Sequence, residues 1–211
     1  MARIVVMLLA LAPLMALAIG NPEAGEQKAA SCAACHGPDG NSPVSIWPKL
    51  AEQHADYTAR QTRLVRDGLR DVPEMIPFVM NLTDQDIADI AAFYEQQSIE
   101  PGVADEDLVA LGRKIYHDGN RETGVPACAA CHGPAGMGIP GAHYPMVRAQ
   151  HADYSADRLR RYRAGEHNGD DDMYSLIMVG VAARLTDEEI DAVSSYMEGL
   201  HVARWPTTAG N

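Results

Sequence analysis

An all-α fold made of two copies of one small module is what the sequence predicts, and three observations predict it. Distinctive stretches recur along the chain at nearly constant spacing. Apolar residues repeat with a helical period, and no alternating pattern of useful length appears. Helix-start signals stand at matching places in both copies. The expected organisation is a leader at 1–18, a first module at 19–100, a linker at 101–106 and a second module at 107–211.

The leader comes first. Arg3 is its only charge, an apolar run extends from Ile4 to Ile19, and Ala16-Leu17-Ala18 is a small-x-small cleavage pattern. That run is 16 residues long, short of the ~20 needed to cross a bilayer, and it contains Pro13. Export to the periplasm with cleavage near Ala18 is expected; the competing reading is a retained anchor. The 211-residue chain has a formal charge of −12, which argues against nucleic acid, whose binders present a basic face.

The cysteines follow. Cys32-Ala33-Ala34-Cys35-His36 returns 96 residues later as Cys128-Ala129-Ala130-Cys131-His132. Exported cysteines ordinarily pair as disulfides, but C-x-x-C-H is the attachment signature of c-type haem. Two thioether bonds need thiols one helical turn apart, and the neighbouring histidine then lies under the iron. A redox dithiol would need no histidine, and a four-cysteine zinc site would leave both histidines unexplained. Two covalently bound haem c groups are therefore expected, with Cys32, Cys35, Cys128 and Cys131 as thioether donors and His36 and His132 on the irons. The chain has only two Phe, two Trp and eight Tyr, thin for two independent cores. A buried macrocycle in each small module would supply what the side chains do not.

The rest of each module reads as helix. After Trp47-Pro48 and Tyr144-Pro145, a middle helix is expected from about Ala55 to Gly68 and from Ala152 to Gly165, where glycine supplies the stop. A last helix starts at Thr83-x-x-Asp86 and Thr186-x-x-Glu189, the second a capping box and the first a shorter-armed version. The offset is 97 residues through the middle helix and 103 in the last. The second copy therefore carries an insertion around Glu166-His167-Asn168-Gly169-Asp170-Asp171-Asp172, expected as an exposed loop.

The repeat also selects the sixth iron ligands. Outside the leader the methionines are 75, 80, 137, 146, 173, 178 and 197. Met75 precedes Thr83 by eight residues and Met178 precedes Thr186 by eight; no other pair superposes. They follow the proximal histidines by 39 and 46 residues, enough chain to reach the far side of a haem. His54 and His151 are the sole symmetric rivals, with a helix-start or haem-propionate role as their plainer reading. His117, His143, His167 and His201 have no symmetric counterpart and are assigned no metal. Pro43 and Pro140 are candidates to accept the other ring N–H of the proximal histidines, or simple loop prolines. The arginines at 60, 63, 66 and 70, and at 158, 160, 161 and 163, read as a solvated stripe, with propionate or partner contacts as the minority reading.

The stretches Cys35-His36-Gly37-x-Asp39-Gly40-Asn41-Ser42-Pro43, Trp47-Pro48-Lys49-Leu50-Ala51, Thr83-Asp84-Gln85-Asp86-Ile87 and Gly180-Val181-Ala182-Ala183 make the chain resemble the dihaem cytochromes c of the c4 type. The likeness covers essentially all of it beyond the leader. It implies two class I cytochrome c folds related by a pseudo-two-fold axis, axial methionines at Met75 and Met178, and periplasmic electron transfer to a terminal oxidase. Met146-Val147, where the first copy has Lys49-Leu50, and the lengthened stretch before Met178 depart from the pattern.

A His/Met-ligated iron has no vacant site for substrate, and thioether ligation raises its potential. The expected function is thus a carrier of single electrons between a respiratory donor complex and a terminal oxidase, not an enzyme. It is expected as a monomer that can associate peripherally with a membrane. Two readings compete: a bound subunit of a flavocytochrome c-like sulfide oxidoreductase, and an enzyme such as a dihaem peroxidase or thiosulfate dehydrogenase.

Overall fold

The computed structural model describes residues 20–202; the leader, Ile19 of the expected first module and residues 203–211 of the expected second module lie outside them. The first half holds α1 (Pro22–Lys28), α2 (Ala33–His36), α3 (Ala55–Arg66), α4 (Ile76–Val79) and α5 (Asp84–Glu95). The second holds α6 (Glu106–Asp118), α7 (Ala129–His132), α8 (Ala152–Arg163), α9 (Met173–Ala182) and α10 (Asp187–Gly199). Among the described residues the only β pairing is two isolated bridges, Asn120 with Val125 and Ile139 with Tyr144.

Both halves pack alike. α1 and α3 lie on α5, as α6 and α8 lie on α10. The first crossing is close because glycine faces the partner backbone: a Cβ at Gly25 would sit 2.0 Å from the Asp89 carbonyl oxygen, and one at Gly112 would sit 2.2 Å from that of Ala192. The last helices begin in true capping boxes. The Thr83 hydroxyl accepts the Asp86 N–H while the Asp86 carboxylate accepts the Thr83 N–H, so the shorter aspartate arm reaches, and Thr186 and Glu189 repeat the arrangement.

The cores differ in size. In the second half Ile115, Tyr116, Val125, Leu185, Ile190, Val193 and Met197 belong to one contiguous cluster. The first half has two small ones, around Ile90 and Tyr94 and around Ile87 and Ala59. A further cluster of Ala51, Ile99, Met146 and Ala149 joins the halves.

That junction is reciprocal. Gln53 Nε2 donates to the Met146 carbonyl at 2.8 Å while its Oε1 accepts the Met146 N–H at 3.0 Å. Gln150 does the same to Lys49, at 2.9 and 2.8 Å. The preceding residues, Glu52 and Ala149, hold equivalent places in the repeat and share φ near +60° (61° and 59°). That left-handed turn is unfavourable for non-glycine residues. It is held by Glu52 N–H to Tyr94 O at 2.9 Å and Ala149 N–H to Met197 O at 2.8 Å.

Candidate haem sites

Each cysteine pair brackets one helical turn. The Cys32 carbonyl accepts the Cys35 N–H at 3.2 Å and the His36 N–H at 3.0 Å, and Gly37 at φ 79° ends the turn. Cys128, Cys131, His132 and Gly133 repeat this with 3.2 Å, 2.9 Å and φ 76°. All four thiols are free and half-buried. Burial pushes the Cys128 thiol up to about 11 and raises that of Cys32. Among the described residues no three His, Cys, Asp or Glu side chains gather as a cage for a bare metal ion.

Both proximal histidines are buried, and each Nδ1 is tied to a backbone carbonyl: His36 to Pro48 O at 2.9 Å and His132 to Pro145 O at 2.8 Å. A carbonyl can only accept, so Nδ1 carries the proton and Nε2 keeps a free lone pair. Burial lowers both imidazole pKa values and so favours the neutral form, and the carbonyl bond opposes that shift without cancelling it. These acceptors correct the expectation of Pro43 and Pro140. Pro43 and Pro140 are exposed, and the chain returns under the ring only at the Trp47-Pro48 and Tyr144-Pro145 pairs.

The methionines separate by environment. Met80 and Met173 are 58% and 60% exposed, Met137 is exposed, and Met146 and Met197 are sealed in apolar clusters. Only Met75 and Met178 among the described methionines are half-buried. Met75 ends a 3₁₀ turn, Pro73–Met75, ahead of α4. Met178 lies within α9, a ten-residue helix.

The inserted stretch explains that helix. Asp172 caps α9 and is buried, whereas Asp170 and Asp171 are exposed as expected. Its interaction with Arg60 also removes Arg60 from the solvated stripe. Arg63, Arg66, Arg160, Arg161 and Arg163 do form outer ion pairs with Asp67, Asp84, Asp157, Asp187 and Asp191 among others.

His54 and His151 stand just before α3 and α8, and both reach into the other half. His54 Nε2 lies 2.8 Å from the Met137 carbonyl oxygen and His151 Nε2 2.9 Å from that of Ser42. The junction role of these residues and of Gln53 and Gln150 is not apparent from the sequence. The repeated Gln-His-Ala-Asp-Tyr stretch was the visible signal.

The residues fit haem c. Besides free thiols and bare Nε2 atoms, Arg70 supplies an unsatisfied donor. Its Nη1 and Nη2 donate to Gln61 Oε1 at 2.9 Å and to the Tyr154 hydroxyl at 3.1 Å, while its buried Nε has no partner. A haem carboxylate is the kind of acceptor such a buried cation requires. Exposed apolar side chains lie in the methionine segments: Leu69, Phe78 and Met80 in one half, Met173, Leu176 and Ile177 in the other. They offer wall for a macrocycle.

Comparison with known proteins agrees. The cytochrome c family model matches residues 22–98 and again residues 109–201. Cytochrome c4 of Pseudomonas aeruginosa is 46% identical over 187 residues, covering 89% of this chain and 92% of that protein. The crystal structure of reduced recombinant cytochrome c4 from Pseudomonas stutzeri superposes with a TM-score of 0.82 at 42% identity, over 86% of this chain and all of that one. A thiosulfate dehydrogenase electron acceptor of Stutzerimonas stutzeri is 33% identical over 176 residues, covering 82% of this chain and 80% of that protein. The chain therefore belongs to the cytochrome c4 family: an all-α electron-transfer protein, not an enzyme, of two class I cytochrome c domains with two covalently bound haem c groups.

Proposed function

We propose that this protein is a periplasmic carrier that takes single electrons from a respiratory donor complex and passes them to a terminal oxidase. The modules are residues 19–100 and 107–211, joined by 101–106, and the leader 1–18 is removed on export. The thioether donors are Cys32 and Cys35 for the first haem and Cys128 and Cys131 for the second. His36 and Met75 hold the first iron; His132 and Met178 hold the second. One observation carries the assignment: in each module a histidine has Nδ1 tied to a carbonyl, and the repeat-equivalent methionine is the half-buried one.

Haem c supplies one-electron exchange between ferrous and ferric iron. The chain's part is to keep that exchange free of rearrangement. The Pro48 and Pro145 carbonyls fix the tautomer and ring plane of His36 and His132. Met75 and Met178 would supply each iron with a thioether ligand besides the histidine, which would exclude water and small reactants. Arg70, whose buried Nε has no partner, would neutralise a haem carboxylate, whereas Arg158 is paired with Glu166 at 3.2 Å. Loss of Arg3 with the leader takes the formal charge from −12 for the full chain to −13, which steers the protein to a basic patch on its partners, at rates that fall as salt rises.

Isolated from periplasm, the expected species is a monomer with two haems, beginning at Ile19 and reoxidised by oxidase-containing membranes more slowly at high salt. A second reading has support in the thiosulfate dehydrogenase electron acceptor among the relatives: the donor is then a sulfur-compound oxidoreductase. Rapid reduction by such an enzyme with thiosulfate or sulfide, and none by the respiratory donor, would select it; co-purification of a flavoprotein would select the bound-subunit form.

A further inference from the structure

The stretch that the repeat leaves unmatched ends in a carboxylate whose cation comes from the other module. Asp172 Oδ1 accepts the Tyr174 N–H at 3.2 Å and the Ser175 N–H at 3.4 Å, and its Oδ2 accepts from Asn168 Nδ2 at 2.9 Å. Its side chain is 4% exposed, and Arg60 Nη2, from α3 of the first module, forms the ion pair that completes its surroundings. The same guanidinium lies over the Tyr174 ring, with Cζ 4.9 Å from the centroid. The other edge of this contact is His143, packed against Tyr174 at 5.1 Å between ring centroids, with Nδ1 3.0 Å from Asp56 Oδ2 on α3.

Arg60 thus touches the first turn of α9 twice, once through the cap and once through Tyr174. Met178 is the sixth residue of the same ten-residue helix. A helix this short behaves as a rod with a rise of about 1.5 Å per residue, so fixing its first turn sets where Met178 projects. Burial by itself would raise the Asp172 pKa, but hydrogen bonds from Asn168 and Ser175 and the charge of Arg60 hold it below the usual carboxylate range. Removing the cation leaves a buried charge incompletely compensated, and breaking such a pair from one side is strongly destabilising. The helix start relieves this by moving toward water, and Met178 moves with it.

We infer that Arg60 of the first module is a positioning residue for the sixth ligand of the second haem, so that closure of that iron depends on the two modules being docked. The inference rests on the proposed ligation by Met178.

The test uses the oxidised holoprotein and cyanide, which binds an iron only when its sixth position opens. Hyperfine-shifted methyl resonances of iron-bound methionine distinguish the haems, with Met178→Ala identifying that of the second. Arg60→Gln is expected to lower the apparent Kd for cyanide at the second haem about tenfold, because the binding-competent fraction rises by that factor. The first haem stays unchanged, and Arg60→Lys restores most of the native value. Asp172→Asn, which keeps the cap's shape and removes its charge, provides the second variant and is expected to open the same haem. Native cyanide affinity at the second haem in Arg60→Gln and Asp172→Asn overturns the inference. So does opening of the first haem instead. If Met178→Ala leaves both methionine resonances in place, the ligand assignment itself fails, and the inference falls with it.

Discussion

Met75 and Met178 hold equivalent places in the repeat, yet the segments that present them are built differently. Met75 sits on a 3₁₀ turn that leads into the four-residue α4. Met178 sits inside a ten-residue helix whose cap carboxylate is bound by an arginine of the other module. The support of the first arm also crosses the junction, but to an uncharged acceptor rather than a carboxylate: Arg70, five residues before Met75, donates to the Tyr154 hydroxyl of α8. One functional atom can thus be placed by unrelated local structures, provided each is anchored to something rigid. Here the rigid body for each arm is the middle helix of the opposite module.

The comparison extends to packing, where the largest effect is expected. Gly25 and Gly112 make the same helix crossing in the two modules, and a Cβ at either meets backbone rather than a movable side chain. Gly25→Ala and Gly112→Ala should each cost about 3 kcal/mol or more in urea unfolding of the holoprotein. A cost below 1 kcal/mol at either site would show that its helices slide apart freely.

Next come the reciprocal glutamines. Gln53→Leu and Gln150→Leu each leave a buried N–H and a buried carbonyl unpaired across the junction, at Met146 and at Lys49. Each substitution should cost about 2–3 kcal/mol, and the two should cost the same. Unequal losses would show that the junction is symmetric in geometry but not in energy.

Smaller still are the caps. Thr83→Ala and Thr186→Ala should each cost about 1 kcal/mol, with the larger loss at Thr186, whose partner Glu189 is buried at 6% exposure. The smallest effect is in acid and belongs to the first module. Hydrogen bonds from Lys28 and Thr83 hold Asp86 down at about 2, and Lys28 also meets Asp89, tying α1 to α5. A depressed carboxylate stabilises the fold above its unfolded pKa of about 3.9. That contribution is lost as pH falls from there toward about 2. Hydrogen exchange should therefore show α1 losing protection before α6 as pH is lowered; simultaneous loss would remove the distinction.

Much of this was legible in the sequence because covalent chemistry and repetition leave sharp marks. The paired C-x-x-C-H motifs set cofactor and copy number, and matching threonines located the last helices. The placement of the proximal-histidine acceptors was not legible at Pro43 and Pro140, since several prolines follow each motif and only the path of the chain decides which carbonyl comes under the ring. Asp172 was read as loop because three consecutive aspartates look alike in sequence; burial of the third depends on Arg60, 112 positions away. His54, His151, Gln53 and Gln150 carried a signal, exact recurrence, but recurrence alone does not say that a residue serves the contact between copies.

The most direct test of paired His/Met ligation is the near-infrared methionine–iron band of the oxidised holoprotein, measured for the native chain, Met75→Ala and Met178→Ala. Each substitution is predicted to remove half of the native band and to leave the other half unchanged. A band that survives intact in either variant, or that is halved by Met80→Ala instead, would contradict the assignment and with it the closed-iron basis of electron transfer.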